Sequence, residues 1–216
     1  MANRPVYISK KIPPYFERID IEFKFYNGFS LKQKQLSIKS LHNAFNEVYP
    51  DKKVLEISSK SDNELGVKVS AFNLKFRYKD SDKIFSVESA FQGSKVFENG
   101  GPYVDLLEKS SRDAKKDLRL KAGGNLIGFI FLNEDFQLEP KTYFYDWLYL
   151  NALNFNSNLA EEILNYDAFT DIEFNPKKSL NCQAAAAAIF VGLSRADLLS
   201  VTLIHKENFR ELVSRE

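Results

Sequence analysis

The chain has 216 residues, an apolar fraction of 44% with 19 Phe and 10 Tyr, and a net charge of +1 from 30 basic and 29 acidic side chains. That apolar content is enough for a buried core and argues against disorder. The charge balance leaves no global footprint for nucleic acid, so any such contact needs a local basic patch. A single cysteine, Cys182, excludes an intrachain disulfide and fits a reducing compartment. Cys182 stands before Gln183 and an alanine run with no flanking histidine, the setting of a structural thiol.

No Pro/Gly/Ser-rich linker divides the sequence, so one domain over residues 1–216 is expected. The segment Val6-Tyr7-Ile8 opens a short strand before Pro13-Pro14, and residues 19–25 alternate apolar and polar as a half-buried strand does. Asn27-Gly28 turns the chain, and Ser30 caps a helix running to about residue 48. Leu31, Ile38, Leu41, Phe45 and Val48 mark its apolar face, and Lys32, Lys34 and Lys39 leave it a basic surface. Residues 54–58 and 67–78 read as strands, with a phase slip at Ala71-Phe72 that suggests a bulge.

Ser86 then caps a helix on which Glu88, Gln92 and Lys95 fall at i, i+4 and i+7, beside an apolar arc of Val87, Ala90, Phe91 and Phe97. A carboxylate and an amine held beside an apolar surface can both have shifted acidities. Gly100-Gly101-Pro102 separates this element from the next. Residues 110–121 carry Arg112, Lys115, Lys116, Arg119 and Lys121, the densest basic cluster, and an apolar run follows at 126–132. A helical region over 142–166 is interrupted near 154–158 and holds Asp146 and the single Trp147. Residues 172–174 look extended, and the chain is mostly helical from residue 181. The run Ala184 to Ala188 reads either as helix-forming alanines or as substituted surface positions.

Strands and helices mix without a βαβ rhythm, which gives an α+β fold. His42 and His205 are isolated, no spacing suggests a metal, and no cofactor is implied. The apolar run at 184–193 is too short to span a bilayer, and the N-terminus is polar, so no membrane partner and a cytoplasmic location are expected.

Four segments in this order resemble the NADAR family, whose members include N-glycosidases. Ser86, Glu88, Phe91, Gln92 and Lys95 match the family's helix motif. Asp146-Trp147 leads into Asn154-Phe155-Asn156-Ser157-Asn158-Leu159, and Ile172-Glu173-Phe174-Asn175-Pro176 supplies a turn. The likeness covers about residues 54–193 and is greatest for the NADAR antitoxins paired with DarT-type DNA ADP-ribosyltransferase toxins. It implies a helix-rich domain with a small mixed sheet, and an enzyme that removes ADP-ribose from nucleobases, guanine in DNA. Two departures stand out: Ser89 replaces a family histidine, and Lys177-Lys178-Ser179 falls where an acidic residue often follows the turn. Asn181-Cys182-Gln183 also replaces a Trp-Gly pair.

On that resemblance Glu88 takes acid/base work and Lys95 becomes a candidate nucleophile that forms a Schiff base with the opened ribose. The alternatives for Lys95 are an ion pair with Glu88 or a surface lysine. Substrate contacts are expected from Gln92, from Asp146 to a ribose, from Trp147 by stacking on a base, and from Glu173 closing the pocket. Arg112 and Lys115 are the cations for the diphosphate. The expected partners are ADP-ribosylated DNA or a nucleotide, and a DarT-type toxin. An N-glycosidase acting on a small nucleotide-like metabolite, and a non-catalytic ADP-ribose or toxin-binding module, are the competing readings.

Overall fold

The computed structural model describes residues 1–78 and 82–212. Strand β1 (Ala2–Ser9) pairs antiparallel with β2 (Phe16–Phe23), Val6 lying opposite Ile19. Helix α1 (Leu31–Val48) starts at Ser30, whose hydroxyl accepts from Gln33 N–H at 3.3 Å. Ile38, Leu41 and Phe45 are buried as the spacing predicts, while Leu31 and Val48, at the helix ends, are left exposed. Strand β3 (Val54–Glu56) follows.

Residues 67–78 do not form the expected strand. The Asn63 carboxamide accepts from Leu65 N–H at 2.9 Å and starts helix α2 (Glu64–Lys68), after which the chain turns through Ala71. Only Lys75–Phe76 are extended, as β4, paired with β5 (Phe85–Ser86). The backbone of this segment finds side-chain partners instead of a neighbouring strand. The Tyr149 hydroxyl donates to Val69 C=O at 2.8 Å, and Ala71 N–H donates to Gln183 Oε1 at 2.8 Å. Val69, Ala71 and Leu74 are thereby buried from a turn, and Phe76 from the short strand that follows it.

Helix α3 (Val87–Gly93) is capped by Ser86, with Ser89 closing the capping box. Ser89 thus has a local structural role. The helix stops at Gly93, four residues earlier than expected, and Lys95 opens strand β6 (Lys95–Phe97) instead of a last helical turn. The Ser94 hydroxyl bonds back to Ala90 C=O at 2.7 Å, and Lys95 sits in register with Phe129 of the following sheet. Gly101 has φ +95, and a Cβ there would lie 2.2 Å from the Lys95 carbonyl, so the loop passes tightly beneath this strand.

A 3₁₀ turn (Val104–Glu108) leads into helices α4 (Ser111–Lys116) and α5 (Arg119–Ala122), which carry the basic cluster. Strands β7 (Leu126–Phe131) and β8 (Glu134–Phe136) complete a sheet in the order β6-β7-β8. Helices α6 (Tyr143–Phe155) and α7 (Ser157–Ile163) break at Asn156, inside the expected interruption. Strand β9 (Ala168–Thr170) joins the first sheet in the order β2-β1-β9-β3, antiparallel to β1 and parallel to β3. Beyond it residues 172–174 turn instead of extending, because the Asp171 carboxylate accepts from Glu173 N–H at 3.0 Å and Phe174 N–H at 3.2 Å. Helices α8 (Gln183–Arg195), α9 (Leu199–Ile204) and α10 (Lys206–Leu212) end the described chain.

Strand alternation sets the layers. Val6 and Ile8 of β1 join Ile38, Leu41 and Phe45 of α1 in one apolar cluster, whereas Tyr7 joins the larger core on the other face. That core lies against α6 and α8. All five alanines, Ala184 to Ala188, are buried in it, so they are core positions and not altered surface ones. Small side chains let α8 pack on β1 and β9, and Gly192 faces the connection between β1 and β2. A Cβ at Gly192 would lie 2.3 Å from the Lys10 carbonyl and 2.5 Å from that of Tyr15. The mixed helices and small sheets make the fold α+β.

Candidate functional site

The turn at Ala71-Phe72, helix α3, the start of β6, helix α4, the N-terminal part of α6 and the turn after β9 surround a cleft of about 1110 Å³. That is enough space for a dinucleotide-sized ligand. Glu88, Gln92, Lys95, Arg112, Lys115 and Glu173 all line it. The structure thus brings six of the eight expected residues to one surface.

Glu88 is held on three sides. Its N–H donates to Ala71 C=O at 2.9 Å, Gln92 Nε2 donates to its Oε1 at 2.9 Å, and Lys115 Nζ lies 3.6 Å from the same oxygen. The side chain is buried. Gln92 keeps its Oε1 buried without a hydrogen-bond partner among the described residues, an acceptor left for a hydroxyl. Lys95 has lost its helix position but not its neighbourhood, and its Nζ sits 4.7 Å from the centre of the Phe91 ring. Burial pulls its ammonium down from 10.5 to about 8, with Lys115 adding to that effect and Glu88 opposing it. A fraction of the amine is therefore neutral at physiological pH.

The basic cluster divides in two. Arg119 is spent on Asp105 and Asp117, with contacts of 2.7 and 2.8 Å, whereas Arg112 and Lys115 turn to the cleft. Lys115 also lies 4.9 Å from the Phe72 ring centre. Lys60, Lys141 and Lys178 line the same cleft, so six cations there face the carboxyls of Glu88, Glu139, Asp171 and Glu173, a modest local excess of basic groups on a near-neutral chain. Glu173 stands exposed at the wall and pairs with Lys34 of α1 at 2.8 Å.

Trp147 and Asp146 do not belong to the cleft. Both are almost fully buried, at 2% and 1% exposure, and neither lines it. The indole packs among Tyr78, Phe131, Phe136 and Phe144, with centroids 4.8–6.5 Å away. A residue at the first turns of a helix buried on nearly every side has no route to solvent, and the helix presents Tyr145 to the cleft instead. Trp147→Ala is expected to destabilise the protein by about 3–5 kcal/mol in denaturant unfolding. Trp147→Phe should leave ADP-ribose affinity, measured by calorimetry, unchanged.

Sequence reasoning missed Asp171, Gln183 and Tyr145, all of which line the cleft. Gln183 is a strut between two walls, since its Oε1 accepts from Ala71 N–H at 2.8 Å while its Nε2 donates to Asp171 Oδ2 at 2.9 Å. Burial and the neighbouring Glu88 push the Tyr145 phenol well up, which keeps it a proton-bearing donor. Only the proximity of Asp171 to Glu173, and of Gln183 to Cys182, hinted at them. Cys182 is buried and its thiol is pushed up by desolvation, as suits a structural cysteine. Among the described residues no cluster of three or more His, Cys, Asp or Glu is placed to hold a metal. No helix among them is long and apolar enough to cross a membrane.

A family model for the DarT1-associated NADAR antitoxin matches residues 2–216, and the chain belongs to that family. Membership of that family supports an antitoxin role in a DarT system. A comparison with curated proteins gives no match.

Proposed function

We propose that this member of the DarT1-associated NADAR antitoxin family hydrolyses the N-glycosidic bond between ribose C1″ and a modified base, releasing ADP-ribose from guanine in DNA. The observation that carries the reading is Lys95, an amine of lowered basicity in one cleft with the buried Glu88. Opening of the ribose ring by protonation of its ring oxygen leaves an iminium between C1″ and the base nitrogen. Neutral Lys95 adds to C1″ and carries a positive charge. Glu88 takes a proton from the Lys95 nitrogen and gives it to the base nitrogen, which departs as a neutral amine. The Lys95 iminium that remains is hydrolysed by water to the open aldehyde of ADP-ribose and the Lys95 ammonium. Glu88, close enough to stabilise that ammonium, also stabilises the cationic intermediates.

The orphan Gln92 Oε1 accepts from a ribose hydroxyl, and Arg112 and Lys115 meet the diphosphate at the edge of the cleft. Glu173, fixed by Lys34, borders the entrance. The remaining lysines of the cleft favour a polyanionic strand over a free metabolite, and such contacts weaken steeply with salt. Incubation with an ADP-ribosylated oligonucleotide and, separately, with free nucleotides tests the reading by mass spectrometry. Release of ADP-ribose from the oligonucleotide is expected, faster at low salt than at high salt. Release from the free nucleotides alone would favour the metabolite reading, and binding without release would make the chain a non-catalytic module.

A further inference from the structure

We infer that Asp171 is a second catalytic carboxyl of this cleft, the donor of the proton that opens the ribose ring, and that Glu56 is the positioning residue behind it. The inference rests on the hydrolase reading and supplies the acid which that reading requires. Asp171 is half-buried in the cleft wall that also includes Glu88 and Lys95. Its position is fixed with little freedom: Oδ1 accepts from the N–H groups of Glu173 and Phe174, and Oδ2 accepts from Gln183 Nε2 at 2.9 Å. Among the described residues Oδ2 has a single hydrogen-bond donor, so it retains a site for a proton.

The layer beneath holds a second carboxyl. Glu56 of β3 is buried, and it accepts from Thr170 Oγ1 at 2.6 Å, Ser58 Oγ at 2.7 Å and Ile172 N–H at 2.8 Å. Because Thr170 donates to Glu56, its oxygen accepts from His42 Nε2 at 2.9 Å, and burial keeps that imidazole neutral by lowering it to about 4. The chain from α1 through β9 to β3 therefore anchors the turn that carries Asp171. The titratable groups facing Asp171 are Glu56, Glu173 on the same turn, Tyr145 and Tyr149 on α6, and Cys182 ahead of α8. None is a cation. Desolvation first, and Glu56 second, raise the Asp171 carboxyl from 3.8 to about 7.

The step balances. Asp171 gives its proton to the ring oxygen as the C1″–O bond breaks. After water has hydrolysed the Lys95 iminium, the ammonium returns a proton to the Asp171 carboxylate. The reactive form needs Asp171 protonated and Lys95 neutral, so kcat/KM should rise with pH to a maximum between about 7 and about 8 and then fall.

Asp171→Asn is expected to lower kcat about a hundredfold on the ADP-ribosylated oligonucleotide. It should also abolish the fall at high pH, leaving a residual rate that rises until Lys95 is neutral. A purely structural role would lower the rate without changing the shape of the profile. Carbon-13 titration of the wild-type carboxyls, assigned by difference from Asp171→Asn or by selective labelling, should show Asp171 ionising near neutrality. An Asp171→Asn protein with normal turnover or an unchanged bell, or an Asp171 that ionises in the ordinary carboxylate range, overturns the inference while leaving the hydrolase reading in place. Wild-type protein that releases no ADP-ribose overturns the hydrolase reading and the assigned step together.

Discussion

Glu88→Gln should fold normally and cleave the glycosidic bond at least about a hundredfold more slowly than the wild type. The fold is spared because the glutamine has the same shape, its carbonyl still accepts from Gln92 Nε2, and the backbone bond from residue 88 to Ala71 is untouched. The rate falls because an amide can neither shuttle a proton between the two nitrogens nor stabilise a cationic intermediate. One effect runs the other way. Glu88 holds Lys95 protonated against the pull of burial, so removing its charge lowers the Lys95 ammonium further below about 8. The rising limb of any residual activity should therefore move to lower pH. A folded Glu88→Gln protein with near-normal turnover would remove Glu88 from the chemistry.

The two halves of the site were legible to different degrees. Ser86, Glu88 and Gln92 could be read because a capped helix fixes its side chains by a local rule, and three hydrogen bonds of that helix bear it out. Lys95 was placed beside Glu88 for the wrong reason. The helix ends at Gly93, and sheet pairing with Phe129, a partner distant in sequence, holds the residue in the same neighbourhood. Residues 67–78 have the apolar content of a strand, but Asn63, Tyr149 and Gln183 supply the hydrogen bonds that make it a turn. Tertiary partners of this kind leave no periodic trace. Trp147 shows the same limit in reverse, since its place in a motif said nothing about which side of α6 meets the cleft. The local basic patch demanded by the near-neutral charge could be named as far as Arg112 and Lys115, and Lys60, Lys141 and Lys178 joined it only through folding.

Lys95→Arg should abolish turnover, and borohydride added to the wild type during turnover should trap an ADP-ribose adduct on Lys95, visible by peptide mass spectrometry. At pH 7 an amine titrating at about 8 is neutral in roughly one molecule in ten, enough to react, whereas a guanidinium stays charged and forms no Schiff base under these conditions. The same burial has a cost in stability that can be measured without substrate. Lys95 is lowered from 10.5 in the unfolded chain to about 8 in the fold, so the unfolded state binds the extra proton between those values. Stability should therefore rise as pH increases from about 8 towards 10.5, and the full penalty applies below that window. Lys95→Met, which removes the charge and keeps the apolar stem over Phe91, should consequently raise stability at pH 7 by up to roughly 3 kcal/mol while abolishing activity. A protein that is stable, inactive and free of adduct would be the expected Lys95→Met phenotype. An active Lys95→Arg protein with no trapped adduct in the wild type would instead leave Lys95 as a phosphate or carboxylate partner. If Lys95→Met were no more stable than the wild type at pH 7, the amine would not be paying a desolvation cost, and the source of its reactivity would be gone.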